Sequence, residues 1–456
     1  MTYSQQMSRF IAGLRFGDLP GPVRESAKRH LLDILGVGLA GSRQEIACRA
    51  LNAVGSMPGS AGTVRVWGRP ARHSALLAAM ANGVSAHVQD FDDTHTDSIT
   101  HGSAVLGPVA MALGEELGAS GAELMLAFVA GWEVAARVGM ASHGSFHKRG
   151  FHTTSVAGVF GATAAAGKLL GLSEEQLSHA FGLAGSQVSG VSEYLSNGSS
   201  SKSFHPGWAA HSGMVAAYLA RSGMTGPMTV FEGRFGTFKS YGLPDESDPA
   251  LLSAGLGERW EITRISIKPY PCCHFAHAFI DCARALRSQG ILPQQIERLE
   301  CLVPEIELPL ICEPFASKLR PESPYAAKFS LPFLVAVGLI DGHVDHDTFL
   351  QGNIFRSDLL ALADRVTYRA AKHDETTFPT YFPGHIDGLL KDGRKVTQRL
   401  DINFGNPDNP LTNGDVEAKF RINVKGILDE QSTAGIIAAI QVLAELHTGD
   451  VADLLG

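Results

Sequence analysis

Apolar positions in the first half of the chain recur at helical spacing, with Ala, Gly and Leu dominating. Pro22 fits the N1 position of a helix, and Val23, Ala27, Leu31 and Ile34 then share one face. Ser120-x-x-Glu123 and Ser173-x-x-Gln176 read as capping boxes, the second with Leu172 and Leu177 placed for a hydrophobic staple. Small residues between Leu177 and Gly190 suit close helix contacts. Before residue 260 only Thr63–Trp67 reads as a strand. Residues 1–265 therefore read as one helical domain. The pattern changes near Lys268-Pro269-Tyr270-Pro271. Leu299, Cys301 and Val303 alternate with polar residues as in a half-buried strand, and Val366 and Tyr368 start another. Lys391-Asp392-Gly393 marks a turn, after which Val396, Leu400, Ile402 and Phe404 line one strand face. Ala326–Leu339 reads as an apolar helix. Residues 266–408 are thus a smaller α+β domain. Asn406-Pro407-Asp408-Asn409-Pro410 breaks the chain, and Ala434–Leu446 reads as a final apolar helix that returns to the helical domain within residues 409–456.

Composition narrows the class. The chain has 456 residues, 45% hydrophobic and 18% charged, which fits a globular protein of two or three domains and excludes a disordered one. The net charge is -8, and no block of Lys and Arg forms a nucleic-acid or anionic-membrane footprint. No apolar run is read as reaching the roughly 18 residues of a membrane span. The six cysteines, Cys48, Cys272, Cys273, Cys282, Cys301 and Cys312, lack CxxC spacing, so reduced thiols and a cytoplasmic protein are expected.

Two glycine motifs mislead. Gly36–Gly41 spells GxGxxG, but a helix precedes it and no acid follows at the dinucleotide-binding distance, so close helix packing explains it. Gly161–Lys168 is one residue too long for a phosphate loop, and Leu169 stands where Ser or Thr must hold Mg²⁺.

Four polar clusters interrupt apolar surroundings: Asp90–His101, Lys148–His152, Asn197–His205 and Pro271–His277. Singly, each has a plain structural explanation as a solvated turn, a hydrogen-bonded histidine or a surface lysine. Asp90, Asp92, His95, Asp97 and His101 are oxygen and nitrogen donors in a short span. They fit neither an HExxH helix nor an EF-hand, so no metal site is expected.

Taken in order, these features resemble the MmgE/PrpD family, whose members include 2-methylcitrate dehydratase, cis-aconitate decarboxylase and iminodisuccinate epimerase. The resemblance rests on Asp90-Phe91-Asp92-Asp93-Thr94 followed by Thr100-His101, on Gly150-Phe151-His152-Thr153-Thr154-Ser155, and on Lys202 with His205 in KSFHPGWAA. It continues through Lys268-Pro269-Tyr270-Pro271 with His277, Ala327-Lys328-Phe329-Ser330, Asp33 with Gly41, and Lys419-Phe420. It implies a mainly α fold: a large all-helical domain from N- and C-terminal segments, with the α+β unit inserted as a lid. It also implies a homodimer, no metal or organic cofactor, and a small-molecule di- or tricarboxylate as substrate. The site it implies consists of Asp90, Thr94, His101, His152, Lys202 and His277, with Lys202, His205 and Lys268 binding substrate.

These residue types suit the chemistry. A buried substrate carboxylate needs charge or hydrogen bonds from Lys202, histidines and Thr94. Histidine moves protons near neutral pH. The expectation is that Lys202 anchors a carboxylate, His101 and His152 transfer protons, Asp90 orients or charge-stabilises a histidine, and His277 reaches in from the lid. A dehydratase or decarboxylase is the leading reading. An epimerase, a non-catalytic carboxylate binder and, more distantly, a metal-dependent hydrolase are the alternatives.

Overall fold

The structure, a computed structural model, describes residues 1–196 and 198–455. Asn197, which opens the third polar cluster, lies outside the described residues. The fold is mainly α. The chain divides into two compact units: Met1–Ile267 with the stretch from Thr412 onward, and Lys268–Leu411.

The first unit runs α1 (Tyr3–Gly13), α2 (Gly21–Gly41), α3 (Glu45–Ser56), β1 (Ala61–Arg65), β2 (Arg72–His73), α4 (Ala75–His87), β3 (Thr94–His95), α5 (Ser103–Leu117) and α6 (Gly121–Ala141). It continues with α7 (Ser145–Lys148), α8 (Thr153–Leu169), α9 (Glu174–Gly185), α10 (Ser201–Arg221), α11 (Thr237–Tyr241) and β4 (Ile265–Ser266). Val23, Ala27, Leu31 and Ile34 are all buried along α2, as their spacing predicts. Pro22 sits at N2 rather than N1, behind Pro20 as the cap. Both predicted capping boxes form, on α6 and α9. Strand structure is more extensive than the sequence suggested. β1 pairs with β2, and Thr94–His95 pairs with Ile265–Ser266.

The glycines of the false nucleotide motif lie inside α2. A Cβ on Gly38 would stand 2.4 Å from the Trp67 ring, and one on Gly41 would stand 1.8 Å from the Ser85 carbonyl of α4. Close packing of α2 on its neighbours is their function. Gly161 plays the same part in α8, where a Cβ would lie 2.7 Å from Ala135 of α6.

Contrary to the sequence reading, one helix, α6, is long and apolar enough to cross a membrane by length and composition. All of that window is buried within the protein, and α6 packs on α8 and α5. It also carries a buried ion pair: Arg137 Nε donates to Glu133 Oε2 at 3.3 Å, and Arg137 Nη2 donates to the Arg259 carbonyl at 2.9 Å. Glu133 Oε1 accepts from Glu261 N at 2.7 Å. This network fastens the segment leading into β4, and so the partner strand of Thr94.

The returning segment forms α18 (Asn413–Val424), α19 (Glu430–Gln441) and α20 (Thr448–Asp453), with α18 against α2. The helix expected at Ala434–Leu446 starts earlier, because Asp429 caps it by accepting from Ser432 N at 2.7 Å. It also ends earlier, at Gln441, and is not the final one.

The second unit contains α12 (His277–Ser288), β5 (Ile296–Pro304), α13 (Leu308–Ile311), α14 (Phe315–Leu319), α15 (Pro324–Ala327), α16 (Leu331–Ile340), α17 (Ser357–Ala363), β6 (Val366–Ala371), β7 (Gly384–Leu390) and β8 (Lys395–Leu400). Its sheet has the order β6-β5-β7-β8, with β5 and β6 parallel and the other pairs antiparallel. Leu299, Cys301 and Val303 are fully buried on β5. Two predicted elements need correction. The apolar helix is broken at Lys328-Phe329-Ser330, because Ser330 Oγ accepts from Phe333 N at 3.2 Å and Pro332 starts a fresh helix. The last strand ends at Leu400, short of Ile402 and Phe404. Next in the chain, the Asp401 carbonyl takes Thr377 Oγ1 at 2.8 Å.

If the α2–α4 contact is as tight as its geometry, Gly41→Ala lowers stability by at least about 1–3 kcal/mol, the range for overpacking a core. The exposed Gly13, where a Cβ meets nothing within 4 Å, is the control. Gly13→Ala is expected to be neutral or stabilising. Urea unfolding of the two variants measures the difference, and equal midpoints would contradict the packing argument.

Candidate active site

Four helices of the first unit, α4, α5, α8 and α10, pack on one another, and three of them begin at polar clusters. His101 immediately precedes the Gly102 cap of α5. His152 is the N-cap residue of α8. Lys202 and His205 lie in the opening turns of α10. Each helix start carries unpaired N–H groups and the positive end of a helix dipole. The sequence thus gathers nitrogen-bearing side chains where the backbone already favours an anion.

The loop from α4 to α5 supplies the carboxylates of Asp90, Asp92 and Asp93, and all three are buried. Asp90 adopts a left-handed backbone, φ 55°, which Asp tolerates better than most residues. Lys202 Nζ donates to Asp90 Oδ1 at 2.9 Å. His87 Nδ1 donates to Asp92 Oδ2 at 2.7 Å. Asp93 Oδ2 accepts from His30 Nδ1 at 2.8 Å and from Ser103 Oγ at 2.5 Å, and Trp132 Nε1 donates to that serine. Beneath the loop, Lys419 Nζ pairs with Asp33 at 2.7 Å, donates to the Phe91 carbonyl at 3.1 Å and lies 3.9 Å from the centre of the Phe91 ring.

The histidines are ordered by the same loop. His101 Nδ1 lies 2.8 Å from the Asp93 carbonyl. A carbonyl only accepts, so a hydrogen is on Nδ1. Thr94 Oγ1 is 3.2 Å from the same Nδ1 and Thr154 Oγ1 accepts from the His101 N–H at 3.0 Å. His152 and His205 face each other with Nδ1 atoms 3.1 Å apart. One of them must donate and the other accept, so the pair holds complementary tautomers. Ring centres of His87, His101 and His152 lie 5.3, 5.6 and 6.1 Å apart. Tyr194 stands edge-on to His152 and His205.

Burial, followed by the repulsion of His87, Lys202, His205 and His101, holds His152 well below the ordinary histidine range. Burial, then His87 and Lys202, brings His205 down to about 4. Burial and Lys202 bring His147 down to about 4. These rings are neutral at pH 7. Gly190 closes the site: its carbonyl accepts from His152 N at 2.8 Å. Its φ is 97°, and a Cβ there would lie 2.4 Å from Ser155 Cβ.

Among the described residues, no group of three or more His, Cys, Asp and Glu side chains is arranged to hold a metal ion. The six cysteines are free.

Comparison with known proteins then fixes the lineage. Residues 5–249 match the MmgE/PrpD N-terminal domain and residues 270–445 the MmgE/PrpD C-terminal domain. The chain belongs to the MmgE/PrpD family. It is 30% identical to cis-aconitate decarboxylase of Mus musculus over 97% of this chain and 91% of that protein. It is 30% identical to the Homo sapiens enzyme over 97% and 92%, and 26% identical to that of Aspergillus terreus over 94% and 90%.

Within this MmgE/PrpD chain, Asp90, Thr94, His101, His152, Lys202 and His205 come together in the first unit. His277 and Lys268 belong to the second unit, where both are buried. His277 opens α12, and its Nε2 donates to the Cys272 carbonyl at 3.2 Å. The structure shows Lys202 as a partner of Asp90. Asp92 and Asp93 hold the histidines His87 and His30. His87, His147 and Tyr194 were not singled out by sequence. His87 had one usable signal: a histidine in an apolar helix, three residues before Asp90.

The low histidine values set a pH dependence. His147 and His205 bind a proton near pH 4 when folded and near 6.5 when unfolded. Below pH 6.5 the unfolded chain therefore holds more protons. Their stabilising contribution is complete above about 6.5 and is lost as pH falls towards 4. Urea midpoints should drop across that window, and His205→Gln should flatten the drop. A slope unchanged by that variant would contradict the neutral-pair assignment.

Proposed function

We propose that this chain is a cofactor-independent lyase that decarboxylates a di- or tricarboxylic acid, with cis-aconitate or a close analogue as substrate. The observation that carries this reading is the convergence of three helix starts bearing His101, His152, Lys202 and His205 in a chain similar, over nearly its whole length, to cis-aconitate decarboxylases. Lys202 anchors one substrate carboxylate, sharing its three donors between that group and Asp90. Thr94 and the helix ends receive others.

Decarboxylation consumes a proton. In a β,γ-unsaturated acid the pair from the breaking C–CO₂ bond forms a new double bond. The old π pair then takes a proton at carbon. A neutral imidazole is a poor donor, but a bound carboxylate offsets the burial and repulsion that keep His152 neutral. His152 or His101 thus takes up a proton with the substrate and delivers it to carbon. The family resemblance also assigns His277 and Lys268, of the α+β unit, to substrate contacts. It likewise supports a homodimer. The free cysteines fit a cytoplasmic setting.

Incubation with cis-aconitate, citrate and 2-methylcitrate tests the reading. Release of one CO₂ per cis-aconitate consumed is expected. A change in conjugated-acid absorbance without CO₂ would replace it with dehydration, and solvent deuterium exchange without net conversion with epimerisation. His152→Gln should lower turnover by roughly 10²-fold or more. Lys202→Ala removes the partner of a buried carboxylate and should also cost about 3–5 kcal/mol of stability. Adding Asp90→Asn to that variant should recover much of the stability and none of the activity. Full turnover in either single variant would sink the assignment.

A further inference from the structure

α4 ends on His87, whose side chain is completely buried, as is that of Asp92. The 2.7 Å contact with Asp92 fixes the hydrogen on Nδ1 and holds the ring in one orientation. Among the described residues, Nε2 is buried without a hydrogen-bond partner. A buried polar atom left so is costly, and evolution of a stable core alone gives no reason to keep it. The ring stands 5.3 Å from His101 and 5.6 Å from His152, centre to centre. It touches both groups assigned to proton transfer and pairs with neither.

We infer that His87, oriented by Asp92, is a positioning residue for the reaction, and that its ring decides which of the neighbouring imidazoles holds the moving proton. The arrangement repeats a general device: a buried carboxylate fixes an imidazole so that its far edge presents one defined state to the chemistry. The charged and titratable groups around it are Asp92 and Asp90 from the loop, His101 before α5, His152 at the cap of α8, and Lys202 and His205 from α10. After burial, His87 is the largest cause holding His152 and His205 low. Lys202 adds to that repulsion on both rings.

This inference rests on the proton-transfer reading of His101 and His152, so the experiment separates the two. His87→Asn keeps an N–H donor for Asp92 and removes the ring. Histidine titration by NMR, in protein labelled at histidine and with His152→Gln and His205→Gln for assignment, needs no substrate. In His87→Asn the midpoints of His152 and His205 should rise by about one pH unit. The acid limb of kcat/KM should move with them while KM changes little. Asp92→Asn, which loosens the hold on the ring, should move the midpoints in the same direction and covers the case in which His87→Asn does not fold. Unmoved midpoints and an unmoved pH profile, with only a lower melting temperature, would overturn the inference and reduce His87 to packing. Moved midpoints in a protein that releases no CO₂ from any acid would uphold it and overturn the decarboxylase reading alone.

Discussion

Two needs meet at the loop between α4 and α5: to bury the carboxylates of Asp90, Asp92 and Asp93, and to hold them in one geometry. An isolated buried carboxylate would take up a proton or stay in water. Here each is matched with a nitrogen partner from a different part of the first unit: Lys202 from α10, His87 from α4 and His30 from α2. Removing one member of such a pair is far costlier than the net worth of the pair. The contacts therefore act together, and they over-determine a loop that includes a left-handed aspartate. Lys419 adds a clamp from the returning segment through Phe91 and Asp33. The position of His101 follows, because its ring is held by the Asp93 carbonyl.

The helix starts and the histidines enforce one another. A positive helix end disfavours an imidazolium, and so does burial beside Lys202. Burial first, and then repulsion that includes Lys202, keeps His147, His152 and His205 neutral, and the same positive field is available to a polyanion. A carboxylate ligand would reverse the balance, since it satisfies the helix ends and draws protons to the imidazoles together. Charge recognition and acid-base readiness are thus one property of the site, which suits a reaction that takes up a proton.

How legible this was depended on the distance between partners in sequence. Asp90, Thr94, His101, His152 and Lys202 were visible because they interrupt long apolar stretches, and the ordered set carried the family. Their partners were less visible. Nothing local tells Asp92 from Asp93: one is matched five residues back, the other sixty-three. His87 was hidden because it closes a helix whose other residues are mostly apolar or small. In the fold, periodicity located the elements but not their ends. The serine and proline of Ser330-Leu331-Pro332 outweighed an unbroken apolar pattern, and Asp429 moved a helix start forward. At Asp401 the chain leaves the sheet although its side chains still alternate.

The two acidic neighbours also explain why the central Asp92-Asp93 pair attracts less suspicion than it merits. Viewed as ligands or bases they look idle, since each is consumed by an internal contact. Yet a carboxylate consumed by a histidine is what gives that histidine a fixed tautomer. Asp93 acts twice in this sense, through its side chain on His30 and Ser103 and through its carbonyl on His101. Asp92 acts once, on the ring that lies against both His101 and His152. Residues assigned to substrate and residues that hold histidines are interleaved within a single five-residue segment. A substitution at any of its acidic positions therefore disturbs protonation and geometry together, and only a readout of protonation itself separates the two.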